Sequence, residues 1–177
     1  MKEKSLLKLM FELGVLSRMP RTGPYHVGIT DHETCAAHSF RVMALAYFIA
    51  QEEKADTNKV LKMALVHDFP EARLMDQTFI QRKYYSAKEK EGKALSDQLG
   101  RLKGAEELKE IFDEFLKSGS KEADVVWDAD ILETLVEAKE YVQQGIKIME
   151  RWFLGKRKLL KTETGKRLFD ILEKENI

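Results

Sequence analysis

The sequence predicts an all-α fold, and three observations carry that prediction. Apolar residues recur at helical spacing through most of the 177-residue chain. Only three prolines occur, Pro20, Pro24 and Pro70, and they punctuate the chain rather than pervade it. No alternating apolar and polar stretch bounded by turn residues reads as a strand. The length fits one domain over residues 1–177, large enough to bury its core without disulfide staples.

The elements follow in order. Leu6, Leu9, Met10, Leu13 and Leu16 fall on one face of a helix expected over 5–17. Residues 19–31 hold two prolines, two glycines and His26, and read as a loop long enough to carry a role. A second helix is expected over 33–51, capped by Asp31, with Val42 to Ala50 apolar nearly all round and hence buried on all sides. Thr57 is the expected cap of a third helix, which Pro70 interrupts just after His67-Asp68. A charged helix is expected over about 86–102, with Gly100 and Gly104 ending it and starting the next, over 106–117. Ser118-Gly119-Ser120 is a turn before a long helix expected over 121–153. A break near Gly155 and a last helix over 164–173 complete the chain. The stripe Ile146, Met149 and Phe153 reads as core or subunit interface, its aromatic and Met content favouring self-association.

Composition excludes several classes. Thirty basic residues balance thirty acidic ones, so the strong basic excess that sequence-independent nucleic-acid binding needs is missing. No uncharged apolar run is long enough to span a membrane. The opening segment carries Lys8 and Glu12, which does not suit a signal peptide. Cys35 is the single cysteine, so a reducing, cytoplasmic setting is expected. Cys35 itself reads as a small packing residue.

Polar residues placed where helical periodicity demands apolar ones point to the chemistry. His38 stands just before the apolar centre of the second helix, and His67-Asp68 follows directly on Ala64-Leu65-Val66. Asp130 stands on the long helix. Burying these groups bare is costly, and the cost vanishes if they converge on a cation. Two imidazoles and two carboxylates suit Mn²⁺, Co²⁺, Ni²⁺, Zn²⁺ or Fe²⁺ better than Ca²⁺ or Mg²⁺. Such an ion activates water for hydrolysis. Glu71 and Asp76 are close enough in sequence for either to move a proton. Arg18 and Arg21 flank Met19-Pro20 and offer forked donors to a phosphate. Asp128 precedes Asp130 by two positions and points elsewhere on the helix, as a supporting or surface residue. His26 and His32 read as ordinary loop residues.

These residues resemble a family. His38, His67-Asp68 and Asp130 match the H…HD…D pattern of HD-domain metal-dependent phosphohydrolases. The stretches Leu16-Ser17-Arg18-Met19-Pro20-Arg21-Thr22-Gly23, Glu33-Thr34-Cys35-Ala36-Ala37-His38 and His67-Asp68-Phe69-Pro70-Glu71 resemble the YfbR-like and HDDC2-like 5′-deoxynucleotidases. The resemblance implies an HD-domain helical bundle, usually dimeric, with a metal-site core over about residues 16–141 and a helical extension over 142–177. It implies hydrolysis of deoxynucleoside 5′-monophosphates, with His38, His67, Asp68 and Asp130 as ligands of a divalent transition-metal ion. Arg18 would contact the phosphate, Glu71 would serve acid/base chemistry or position water, and Asp76 would contact the sugar or assist. Two positions depart from the pattern: Ala37 replaces an acidic residue before His38, and Met75-Asp76-Gln77 replaces a Gly-Asp turn. Two other readings are another HD-type nucleotide phosphohydrolase or phosphodiesterase, and a non-catalytic nucleotide sensor that keeps its metal for structure. A purely structural site would need neither Glu71 nor Arg18.

Overall fold

The computed structural model describes residues 2–78, 80–84 and 88–175. The helices are α1 (Lys2–Leu13), α2 (Cys35–Glu53), α3 (Thr57–Val66), α4 (Glu71–Leu74), α5 (Lys88–Leu99), α6 (Ala105–Lys117), α7 (Lys121–Gln143) and α8 (Glu163–Lys174). Short 3₁₀ segments cover Pro24–Val27, Gln81–Lys83, Lys147–Phe153 and Lys156–Leu159. The fold is all-α: among the described residues the sole extended pairing is an isolated antiparallel bridge between Pro20 and Thr34. The chain divides into two compact units, one of Met1–Ser39 with Leu65–Lys117, the other of Phe40–Ala64 with Ser118–Ile177.

In the first unit, Leu9, Val66, Leu95, Leu99, Ala105 and Phe112 form the core. A smaller cluster joins Leu16, Met19 and Cys35. The apolar stripe expected over 5–17 is only partly used: Leu9 and Leu16 are buried, while Leu6 and Met10 are about half exposed and Phe11 is 81% exposed. The helix itself stops at Leu13, and tight turns carry the chain to Met19. Thr34, not Asp31, caps α2, its hydroxyl accepting from the Ala37 N–H at 3.2 Å. α5 ends at Leu99, with Gly100 at φ 52°; its expected start at Ser86 lies outside the described residues.

The second unit is organised around α7, which packs against α8 and the 3₁₀ segment Lys147–Phe153. The helix expected over 121–153 ends at Gln143. Gly145 takes φ 95°, and the Gly145 and Ile146 N–H groups close back on Val142 and Tyr141. Met149 and Phe153 are buried within this unit, and Phe153 lies 6.0 Å from the Phe169 ring, so these two residues of the stripe belong to its core, while Ile146 is half-buried. Asp56, not Thr57, caps α3 by accepting from the Lys59 N–H. α2 is not buried on all sides: Phe48 is 67% exposed.

Asp128 is neither a surface residue nor idle. It is fully buried, and its carboxylate accepts from the Lys161 N–H, the Thr162 N–H at 2.8 Å and the Thr162 hydroxyl at 2.7 Å. Thr162 in turn caps α8, its hydroxyl oxygen accepting from the Gly165 N–H at 2.9 Å. A Cβ at position 165 would run into the Asp128 carboxylate, which is why glycine stands there. Burial pushes the Asp128 carboxyl above its ordinary range, against the pull of these hydrogen bonds.

Candidate active site

The first unit concentrates the chemistry at two chain reversals and the start of α2. α3 ends at Val66, and a turn carries His67, Asp68, Phe69 and Pro70 into the single turn of α4. Pro70 has no N–H to lose and stands where a helix begins. The buried Gln98 of α5 clamps this turn by donating to the Phe69 carbonyl at 2.8 Å. His38 stands in the second turn of α2, fully buried. The loop over 19–34 returns on itself: the Arg21 N–H donates to the Glu33 carbonyl and the Cys35 N–H to the Met19 carbonyl.

These segments bring three of the expected ligands together. The Asp68 Oδ2 lies 3.3 Å from His67 Nε2 and 3.7 Å from His38 Nε2. One ligand atom from each of the three residues falls within 4.8 Å of the others. Ser39 lies 3.3 Å from the same Asp68 oxygen while donating to the Cys35 carbonyl at 2.8 Å. The second ring nitrogen of His38, Nδ1, faces Glu33 Oε1 at 3.6 Å, so a carboxylate orients the imidazole from behind. The His67 ring meets the edge of Phe115. Two imidazole nitrogens and a carboxylate oxygen at this spacing are a donor set that fits a divalent ion of mixed N/O preference.

The remaining expected residues are placed unequally. Glu71 opens α4, and its Oε2 is buried without a hydrogen-bond partner. Burial, reinforced by the charges of Asp68 and Asp76, pushes the Glu71 carboxyl well above the ordinary carboxylate range. Burial, reinforced by the charges of Glu71 and Asp76, pushes the Cys35 thiol up too, away from nucleophilic reactivity. Arg21 reaches the cluster, with Nη1 3.9 Å from Asp68 Oδ2 and 3.8 Å from Asp76 Oδ1. Arg18 is exposed, and its guanidinium lies back over Gly14. Asp76 is buried, and its Oδ2 accepts from the Thr22 N–H at 2.7 Å and the Thr22 hydroxyl at 3.1 Å. His32 sits edge-on to Tyr25, ring centroids 4.6 Å apart. Asp130 stands half-buried on α7, in the second unit, with its carbonyl accepting from the Thr134 hydroxyl.

The sequence assigned no role to three contributors, although Thr22 and Glu33 stand in the stretches that resemble the family. Glu33 stands five residues before His38, off the helical repeat, so only the turn at Thr34 brings it back. Ser39 follows His38 directly, and the contact it makes with Asp68 is long-range. Thr22 belongs to the family-like stretch, but its partner Asp76 is 54 positions away, so no local pattern gives it a role.

Comparison with known proteins finds relatives over most of the chain. The 5′-deoxynucleotidase hdd1 of Schizosaccharomyces pombe is 31% identical over 167 residues, covering 89% of this chain and 79% of that protein. The 5′-deoxynucleotidase HDDC2 of Homo sapiens is 28% identical over 141 residues, covering 78% of this chain and 69% of its own length. A conserved hypothetical protein of Pyrococcus furiosus shares the fold with a TM-score of 0.80 at 31% identity, over 94% of this chain and 96% of that one. A family model described as an HD domain matches residues 13–168, most of the chain, and the chain therefore belongs to the HD-domain family.

Proposed function

We infer that this HD-domain protein is a divalent-metal-dependent 5′-deoxynucleotidase, which hydrolyses deoxynucleoside 5′-monophosphates to deoxynucleosides and inorganic phosphate. The observation that carries the reading is the convergence of His38, His67 and Asp68 in a chain of this family, whose relatives are named for that activity. In this reading the three residues hold the ion, with Asp130 as a further ligand on the strength of the sequence pattern alone. The mixed imidazole and carboxylate donors favour a first-row transition metal. A divalent ion held there supplies Lewis-acid polarisation of the phosphoryl group and activation of water.

The chain's own residues do the rest. Arg21, aimed between Asp68 and Asp76, offers its guanidinium to the phosphate and offsets the charge that builds on its oxygens. Arg18 is a second, outer contact in this reading on the strength of the sequence pattern alone, since its guanidinium lies over Gly14. Glu71, whose buried carboxyl keeps its proton more tightly than an ordinary carboxylate, delivers that proton to the departing 5′ oxygen. Glu33 holds the His38 ring in the orientation that leaves Nε2 facing Asp68. Self-association in a cytoplasmic setting belongs to the same reading, and the exposed Leu6, Leu7, Met10 and Phe11 of α1 support it.

The test is phosphate release. Protein stripped with a chelator should be inactive on 2′-deoxy and ribo monophosphates, and Mn²⁺ or Co²⁺ should restore release with preference for the deoxy series. Equal rates on both series would replace the reading with a general nucleotidase. Silence with every metal would end it in favour of a sensing protein.

A further inference from the structure

Asp76 is the acid whose surroundings fit proton transfer least. Its Oδ2 is committed to two donors of one residue, the Thr22 N–H at 2.7 Å and the Thr22 hydroxyl at 3.1 Å. Its Oδ1 lies 3.8 Å from Arg21 Nη1, the nitrogen that also faces Asp68. One buried carboxylate thus holds the backbone of position 22 and the side chain of position 21. The far end of the same loop is tied to its start through Arg21 N–H to Glu33 carbonyl and Cys35 N–H to Met19 carbonyl.

The backbone beside Asp76 carries a second signal. Met75 takes φ 67° and ψ 155°, a region that glycine visits and side-chain-bearing residues avoid. A strained residue survives only where its neighbours over-determine the conformation, and such positions gather at functional sites. Here the strained Met75 directly precedes Asp76, whose carboxylate meets Thr22.

We propose that Asp76 is a positioning residue: it latches the 19–34 loop through Thr22 and so presets Arg21 beside Asp68 for the substrate phosphate, without itself moving a proton. The proposal rests on the nucleotidase reading for the identity of the ligand, but the latch can be tested apart from it.

The experiment compares Thr22→Val, Asp76→Ala and Asp76→Asn. Asparagine keeps an oxygen facing Thr22 but cannot serve as a carboxylate acid or base. Amide exchange of residues 22–33 in metal-free protein is the first measurement, and steady-state kinetics on a deoxynucleoside monophosphate with Mn²⁺ the second. Thr22→Val and Asp76→Ala should both speed exchange in that segment. They should raise KM about threefold and about tenfold respectively with kcat little changed, as expected for lost hydrogen bonds to a charged acceptor. Asp76→Asn should stay near the wild-type exchange rate and keep the wild-type pH profile of kcat. The proposal fails if Asp76→Asn loses turnover as severely as Asp76→Ala and drops one limb of the pH profile while Thr22→Val behaves as wild type. If the wild-type protein releases no phosphate with any metal, the nucleotidase reading falls and the exchange data alone decide the latch: unchanged exchange in Thr22→Val and Asp76→Ala overturns it, and faster exchange in both upholds it.

Discussion

Asp76 and Asp128 are two buried aspartates with nearly the same partners. Each accepts the N–H and the hydroxyl of one threonine on a single oxygen: Thr22 for Asp76, Thr162 for Asp128. Their settings differ. Asp128 stands inside α7 on unstrained helical backbone, and the threonine it holds caps α8. Asp76 follows a strained Met75, and the loop it holds carries an arginine aimed at a His/Asp cluster. The same contact fixes a helix end in one unit and a reactive loop in the other. What separates a structural brace from a site component is therefore the element held, not the hydrogen bonds that hold it.

The sharpest way to probe that contrast lies in the first unit. Asp68→Ala should abolish metal binding and turnover together. Glu71→Gln should retain the metal and lower kcat by about 10²–10⁴-fold, the usual weight of a positioned acid or base. Metal content measured beside rate separates the two roles, and a fully active Asp68→Ala protein would sink the ligand assignment.

The second unit should respond in stability instead. Asp128→Ala strands the Lys161 and Thr162 N–H groups and should destabilise the fold by about 3 kcal/mol, a fall in Tm on the order of 10 °C. Its kcat should change little if Asp128 is a brace. The pH dependence has a definite sign. The folded carboxyl is raised above its unfolded value, so the native state holds the proton more tightly. Wild-type stability should therefore fall, relative to Asp128→Asn, as pH rises from the ordinary aspartate range through the raised folded value. Thermal melts at stepped pH would show it, and a slope of opposite sign would refute the burial argument.

The smallest expected effect tests the strain that distinguishes Asp76. Met75 is largely exposed, so replacing it removes little packing. Met75→Gly should relieve the positive-φ strain and stabilise the protein by about 1 kcal/mol, even after the extra freedom glycine gives the unfolded chain. An unchanged or lower midpoint in denaturant would mean that the turn is not strained.

Much of this was legible in the sequence. Helical periodicity announced every long helix, because the 3.6-residue repeat is a local property that needs no partner. His38, His67 and Asp68 stood out because a polar residue in an apolar stripe advertises its own burial cost. Other features were hidden for equally physical reasons. The periodicity of Leu6 and Met10 marks an apolar face but not what covers it, and both are about half exposed. The end of α7 depended on Gly145 adopting φ 95°, which a glycine permits but does not compel. Thr34 and Asp56 took the caps assigned to Asp31 and Thr57, since neighbouring residues with similar side chains compete for the same N–H groups.

The sequence alone determined the helical class, the family and the residue types able to bind a divalent ion, because each of these is written in spacing and side-chain chemistry. Only the tertiary structure decided that Arg21 rather than Arg18 faces Asp68, that Glu33 backs His38, and that Asp76 and Asp128 each close on a threonine. Those choices depend on where the chain turns back. The Thr22–Asp76 contact spans 54 positions, and no local rule relates residues that far apart until the core between them has formed.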